Sequence, residues 1–203
     1  TLIWVGSNFA HDTRLAKLLN TICVILNRSG YEYQLLYANE PTTGRAALEI
    51  GDLELFKVQS KKVADAIDRS GAKQVLCLSA EDYSTLRSQL PKYASLNVPV
   101  KHISEVYEDL IESGELKLSR TIPHQNIAWH DPCYLGRLGG EFEYWEGYIK
   151  KVNEMPVYEP NRNINYGSGG VYDAPRNVLG KLTSESINEF SRRKEYAFNA
   201  GES

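Results

Sequence analysis

Cysteine is scarce in this chain: three residues in 203, Cys23, Cys77 and Cys133, odd in number and far apart. That spacing excludes a disulfide framework and a C-x-x-C metal knuckle, and it points to a reducing compartment. Long apolar runs are missing as well, so no segment reads as a membrane span. Thr1 leads straight into a strand-like stretch without the charged start of a signal peptide, so a cytoplasmic location is expected. A start in mid-pattern without methionine reads as a domain cut from a longer protein. Neither sign of charge dominates: 23 Lys and Arg face 26 Asp and Glu, for a net charge of -3. With no block of like charges, nucleic acid and anionic membrane surfaces are disfavoured as partners. His11, His102 and His124 stand in separate segments with no Cys or carboxylate at metal-ligand spacing, so no zinc site is expected.

What is present is an ordinary globular composition, 42% hydrophobic and 24% charged, in a chain long enough to bury a real core. Leu2-Ile3-Trp4-Val5 reads as a buried strand closed by Gly6. From Asp12 the residues Leu15, Leu18, Leu19, Ile22, Ile25 and Leu26 fall at helical spacing, with Gly30 at the C-terminal cap. A second strand covers 33–37 and a turn 40–44. One longer helix uses Leu48, Leu53, Phe56, Val63 and Ile67 and stops at Ser70-Gly71. The third strand is 74–78. A helix with Tyr83, Leu86 and Leu90 follows, then an extended 98–103 and a short helix with Ser104 as its N-cap. This alternation predicts an α/β fold, mostly parallel sheets flanked by helices, whose ligands bind beyond the carboxyl ends of the strands.

The second half opens with a strand at 126–129 that runs into His130-Asp131-Pro132-Cys133-Tyr134-Leu135-Gly136-Arg137. Residues 140–171 are rich in aromatics, Asn, Gly and Pro and read as an insertion, with a helix through Phe142, Trp145, Tyr148 and Ile149. Val171-Tyr172-Asp173-Ala174-Pro175-Arg176 starts another helix, with Pro175 in its first turn, and 187–190 is the last strand. Of the cysteines, Cys23 and Cys77 lie among apolar residues and read as buried core thiols, and only Cys133 has a polar setting. Gly167-Ser168-Gly169-Gly170 lacks the Lys-[Ser/Thr] of a phosphate loop and reads as the flexible end of the insertion. Glu141, Glu143 and Glu146 suit a solvated helix face.

The string at 130–137, with the second string at 171–176, resembles the second-half motif of the cysteine-rich CCG-domain family. That family comprises the B- and D-type subunits of heterodisulfide reductase and related iron-sulfur oxidoreductases. The resemblance implies two pseudo-equivalent lobes, 1–120 and 121–203, the second incomplete at its C-terminus and carrying the insertion near 141–170. In the family each lobe carries a lone cysteine, a Cys-Cys-Gly and a Cys-Pro-x-Cys, whose thiolates hold iron-sulfur clusters. Here Ser7 stands for the first lone cysteine, Thr42-Thr43-Gly44 for Cys-Cys-Gly, and Ser79 and Asp82 for Cys-Pro-x-Cys. In the second lobe Cys133 matches the lone cysteine, while Asn199 and Ala200 replace the paired ones.

Hydroxyls, amides and acids are poor substitutes for soft thiolates, so no cluster is expected in this chain. The resemblance implies a cluster-free scaffold or docking subunit of a redox complex, with iron-sulfur or flavin proteins as partners and the aromatic insertion as the contact surface. Two alternatives stand beside it. One is an active oxidoreductase using Cys133, activated by His130 and Asp131, or a cluster shared with another chain. The other is a small-anion-binding module that uses the polar former cluster cavity and its helix starts.

Overall fold

A computed structural model describes residues 1–119, 121–122, 126–161, 167–183 and 186–197. The first half forms a four-stranded parallel sheet of β1 (Leu2–Trp4), β2 (Gln34–Leu35), β3 (Val75–Cys77) and β4 (Val100–His102), in the order β2-β1-β3-β4. The expected α/β architecture is therefore present. Successive connections leave β1 toward opposite edges, so the carboxyl ends of β1 and β3 flank a topological switch point, where open α/β sheets place their ligands.

β1 and β3 are wholly buried, and their side chains feed two cores. Leu2, Trp4, Val75 and Cys77 pack with Val63, Ile67, Tyr83 and Leu86 on one face. Ile3 and Leu76 pack with Ile22, Leu26, Val106 and Leu110 on the other. Strands buried on both faces read as continuous apolar runs, which is why they stand out in the sequence.

The helices follow the anticipated order with instructive departures. α1 (Gly6–His11) occupies what reads as a loop, and Glu40, 34 residues away, covers its start. α2 (Thr13–Arg28) is capped by Asp12, whose carboxylate accepts from Arg14 N at 2.7 Å. It ends in Gly30 at φ 71°, as expected. The long helix expected through 48–67 is two: α3 (Arg45–Glu49) and α4 (Leu53–Ser70), separated by Gly51 at φ 83° and restarted by the Asp52 cap. A residue at positive φ followed by an Asp is a stop and a start, and it outweighs apolar periodicity. α5 (Ala80–Ser84) continues through a π-helical turn, Thr85–Gln89, into a 3-10 turn, Leu90–Lys92.

α6 (Ile103–Glu112) starts one residue after β4. His102, not Ser104, is its N-cap, and Glu105 Oε2 accepts from His102 N at 2.7 Å. The expected strand at 33–37 is shorter, because Tyr37–Asn39 turns as a 3-10 helix.

In the second half β5 (Ala128–Trp129) pairs in parallel with the final strand β8 (Asn188–Glu189), and α7 (Asp173–Leu182) lies between them in sequence. The insertion holds no helix where one was expected. It forms an antiparallel hairpin of β6 (Tyr148–Val152) and β7 (Met155–Glu159), turned by Asn153 and Glu154 at positive φ. Tyr148, Ile149, Val152 and Met155 of this hairpin are exposed.

Gly167–Gly170 is a packed turn rather than a flexible end. Tyr172 Oη donates to Gly167 O at 2.7 Å, and a Cβ on Gly170 would lie 1.9 Å from Gly136 O. The two halves share a core, since Leu135 is 2% exposed within the cluster of Leu2, Trp4 and Tyr83. Ser84 Oγ and Ser88 Oγ donate to Leu138 O at 2.8 and 3.0 Å across the same seam.

Candidate functional site

β1 and β3 deliver their next residues to the switch point, and the turn before α3 reaches the same place. Ser79 caps α5, accepting from Asp82 N at 3.1 Å, and its hydroxyl donates to Asp82 Oδ2 at 2.8 Å. Thr43 Oγ1 donates to Asp82 Oδ1 at 3.1 Å. Three of the substituted positions, Thr43, Ser79 and Asp82, therefore form one hydrogen-bonded group around a buried carboxylate. Gly6 lies against it: a Cβ there would fall 2.1 Å from Asp82 Oδ2, so only glycine, also at φ 76°, fits.

Ser7 and Thr42 are not part of this group. Both are exposed and open instead onto a pocket of about 460 Å³ beside Cys23, Tyr37 and Glu40. Asn199, Ala200 and His124 lie outside the described residues.

Glu40 is the residue that the sequence pattern does not announce. Its carboxylate accepts from Gly6 N at 2.7 Å and Val5 N at 3.0 Å, taking the two N–H groups at the start of α1. Burial pushes Glu40 above the usual carboxylate range, the two N–H groups offset this in part, and the charge of Asp82 adds to it. Burial also raises Asp82, against the hydroxyls of Ser79 and Thr43. Asp82 is buried and Glu40 half-buried, and among the described residues neither carboxylate has an Arg or Lys in its set of hydrogen bonds. Cys77 is fully buried behind them, and its thiol is held well above its ordinary value by burial and by Asp82 and Glu40.

An iron-sulfur cluster is held by soft thiolates that neutralise iron. The donors gathered here are hydroxyls and carboxylates already engaged with one another, and they do not fit such a cluster. Nor does an additional anion fit at the α1 start, where the Glu40 carboxylate already accepts both N–H groups.

The second-half strings meet in a different way. Asp131 has a side-chain exposure of 3% and binds the Arg176 guanidinium in a two-pronged pair, at 2.6 and 2.7 Å. Arg176 also donates to Glu189 at 2.6 and 2.8 Å and to Tyr172 O at 2.6 Å. Asp131 also accepts from Trp129 Nε1 at 3.2 Å and from Lys194 N at 2.7 Å.

Burial pushes Asp131 upward, but Arg176, the Lys194 N–H and the Trp129 indole outweigh it and hold its carboxyl below the usual range. Arg176 holds Glu189 low, and its own pKa is raised by Glu189 and Asp131. Asp131 is thus committed to Arg176, and His130 stacks edge-on against Phe190 at 5.0 Å. Neither residue hydrogen-bonds the half-buried Cys133, so the activated thiolate suggested by sequence proximity is not assembled. Cys77 is a core thiol as expected, whereas Cys23 is only half-buried on α2.

Comparison with known proteins finds similarity to redox proteins. It is 32% identical over 171 residues to the D-type subunit of the dihydromethanophenazine:CoB--CoM heterodisulfide reductase of Methanosarcina acetivorans, covering 80% of this chain and 42% of that relative. It is 25% identical over 166 residues to the probable iron-sulfur-binding oxidoreductase FadF of Bacillus subtilis, covering 82% of this chain and 23% of FadF. It is 24% identical over 200 residues to the EtfAB:quinone oxidoreductase of Syntrophomonas wolfei, covering 98% of this chain and 23% of that protein.

The chain therefore spans about a quarter of the length of two of these relatives and about two fifths of the third. No family model matches it, and no solved structure does. The chain is related to iron-sulfur oxidoreductases and to the D-type subunits of heterodisulfide reductase. Among the described residues no helix is long and apolar enough to cross a membrane.

Proposed function

We propose that the chain is a cluster-free CCG-type module of a heterodisulfide-reductase-like redox complex, acting as a scaffold or docking element rather than as a seat of electron transfer. In this reading it comprises two lobes, 1–120 and 121–203. The observation that carries the proposal is the polar group of Thr43, Ser79 and Asp82 beside Glu40, which fills three of the cluster-equivalent positions with hard, mutually bonded donors. Its relatives are named as iron-sulfur and heterodisulfide oxidoreductases, so its partners are read as iron-sulfur or flavin proteins, in the cytoplasm.

The hairpin is the contact surface in this reading. Tyr148 and Met155 are 62% and 65% exposed there, and aromatic and Met side chains are enriched at interface cores.

The test is anaerobic reconstitution of the 203-residue chain with iron and sulfide, followed by metal and sulfide analysis. The expected result is no visible charge-transfer absorption and iron far below one per chain. Near-stoichiometric iron and sulfide, with a paramagnetic signal on reduction, would overturn the proposal.

A further inference from the structure

A second cavity lies on the other side of Ser79. It is a cleft of about 600 Å³ where the carboxyl ends of β3 and β4 meet the end of β5, so both halves of the chain wall it. Its walls are mainly apolar, among them Phe9, Leu15, Leu78, Trp129, Leu135 and Pro175. Size, apolar walls and few polar groups are the properties of a small-molecule site.

The polar group that matters is His102. Its Nδ1 is committed to the α6 cap, accepting from Ser104 N at 3.3 Å and lying 2.9 Å from Ser104 Oγ. An Nδ1 that accepts a backbone N–H leaves the ring proton on Nε2, and Nε2 has no hydrogen-bond partner among the described residues. The ring is held edge-on against Tyr83, with centroids 5.9 Å apart. Burial also lowers its pKa to about 4, so the ring is neutral at physiological pH.

Three carboxylates lie at or beside the cleft, with Arg87 and Lys101 near one of them, Glu105. Glu81 lines the cleft, Asp82 is hydrogen-bonded to the cleft residue Ser79, and Glu105 binds the backbone N–H of His102. Carboxylates in this position disfavour anions, and the neutral N–H of His102, which lines the cleft with Asn8, Trp129 and His130, suits a neutral acceptor.

We propose that this cleft binds a small neutral molecule with a flat apolar body and a carbonyl-type acceptor, held by the Nε2–H of His102. The site does not depend on whether the chain carries a cluster.

Benzamide, benzoate and benzylamine share a ring and differ in charge, so they serve as probes. Each is titrated into the intact chain and followed by histidine-ring 15N spectra and Trp fluorescence. Benzamide is expected to bind with a Kd of about 1–10 mM, as a ligand of this size allows, and to shift the His102 Nε2 resonance. Benzoate, an anion, and benzylamine, a cation without an acceptor, are each expected to bind at least about tenfold more weakly.

His102→Asn keeps an N-cap acceptor, but its shorter side chain cannot carry an N–H out to the position of Nε2, and it is expected to weaken benzamide about tenfold while the protein stays folded. Leu15→Trp fills the cleft from α2 without touching the cap, and it is expected to abolish binding. The proposal is overturned if benzamide leaves the His102 signal unmoved at saturating concentrations. Equal affinity for benzoate or benzylamine, or full affinity in a folded His102→Asn or Leu15→Trp variant, overturns it too.

Discussion

The two halves of this protein solve the same problem in opposite ways. Each sets a carboxylate shortly after a parallel strand, Asp82 in the helix that follows β3 and Asp131 two residues after β5. In the first half Asp82 and Glu40 are held by hydroxyls and N–H groups with no cation, so burial dominates and both are pushed up. In the second half Asp131 and Glu189 share the Arg176 guanidinium, and both are held down. One site stores unfavourable charge; the other compensates it. The compensated site is the one whose residues stand out as linked strings in the sequence. The uncompensated one is where the family resemblance leads one to expect thiolates.

The largest break in this contrast comes from Arg176→Ala, which leaves Asp131 buried and unpaired. Unfolding in urea is expected to show a loss of about 3–5 kcal/mol at neutral pH. Close behind is Leu135→Ala, which opens a hole in the core shared by the two halves and costs about 2–4 kcal/mol. If it cost no more than an exposed Leu, the halves would not be coupled as described.

Asp82→Asn points the other way. Its amide can still meet the Thr43 and Ser79 hydroxyls, which donate or accept as needed. Stability at pH 8 is therefore expected to stay within about 1 kcal/mol of the parent or to rise.

The pH dependence separates the sites further. A carboxyl raised in the folded state binds protons more tightly folded than unfolded, so Glu40 and Asp82 reduce stability as pH rises from their unfolded values through their folded ones. Asp131 and Glu189 are depressed, so their contribution is present above the ordinary carboxylate range and is lost as pH falls below about 4. Denaturant midpoints of Asp82→Asn and the parent are expected to converge in acid and to diverge as pH rises through the raised folded-state value of Asp82.

The smallest effect on the fold is expected from replacing 148–159 by a two-residue linker. Tyr148 and Glu159 are directly paired, so the gap closes at little cost, and an isolated hairpin contributes little of its own. Stability is expected to change by less than about 1 kcal/mol, while association with a redox partner protein is lost.

These elements also show what a sequence discloses. β1 and β3 are legible because strands buried on both faces form short apolar runs, and α2 because Asp12 and Gly30 mark its ends. The split at Gly51-Asp52 is written in the residues but masked by apolar spacing that continues across it. The start of the hairpin reads as the end of a helix in the sequence, since Tyr148 and Ile149 satisfy either period over so short a stretch. Thr43, Ser79 and Asp82 can be named by resemblance alone, yet their mutual hydrogen bonds cannot. Glu40 is invisible because its partners, the N–H groups of Val5 and Gly6, are more than thirty residues away. The pairing of Asp131 with Arg176 spans 45 residues. The two strings that hold it are visible, but the ion pair that joins them is not.

Site-resolved carboxyl titration by NMR tests the contrast most directly, following Glu40 and Asp82 beside Asp131 and Glu189 in the same sample. The account predicts that the first pair titrates above the ordinary values for Glu and Asp and the second pair below them. An Asp82 that titrates below its ordinary value would contradict it, because the hydroxyls of Ser79 and Thr43, or a cation, would then outweigh its burial.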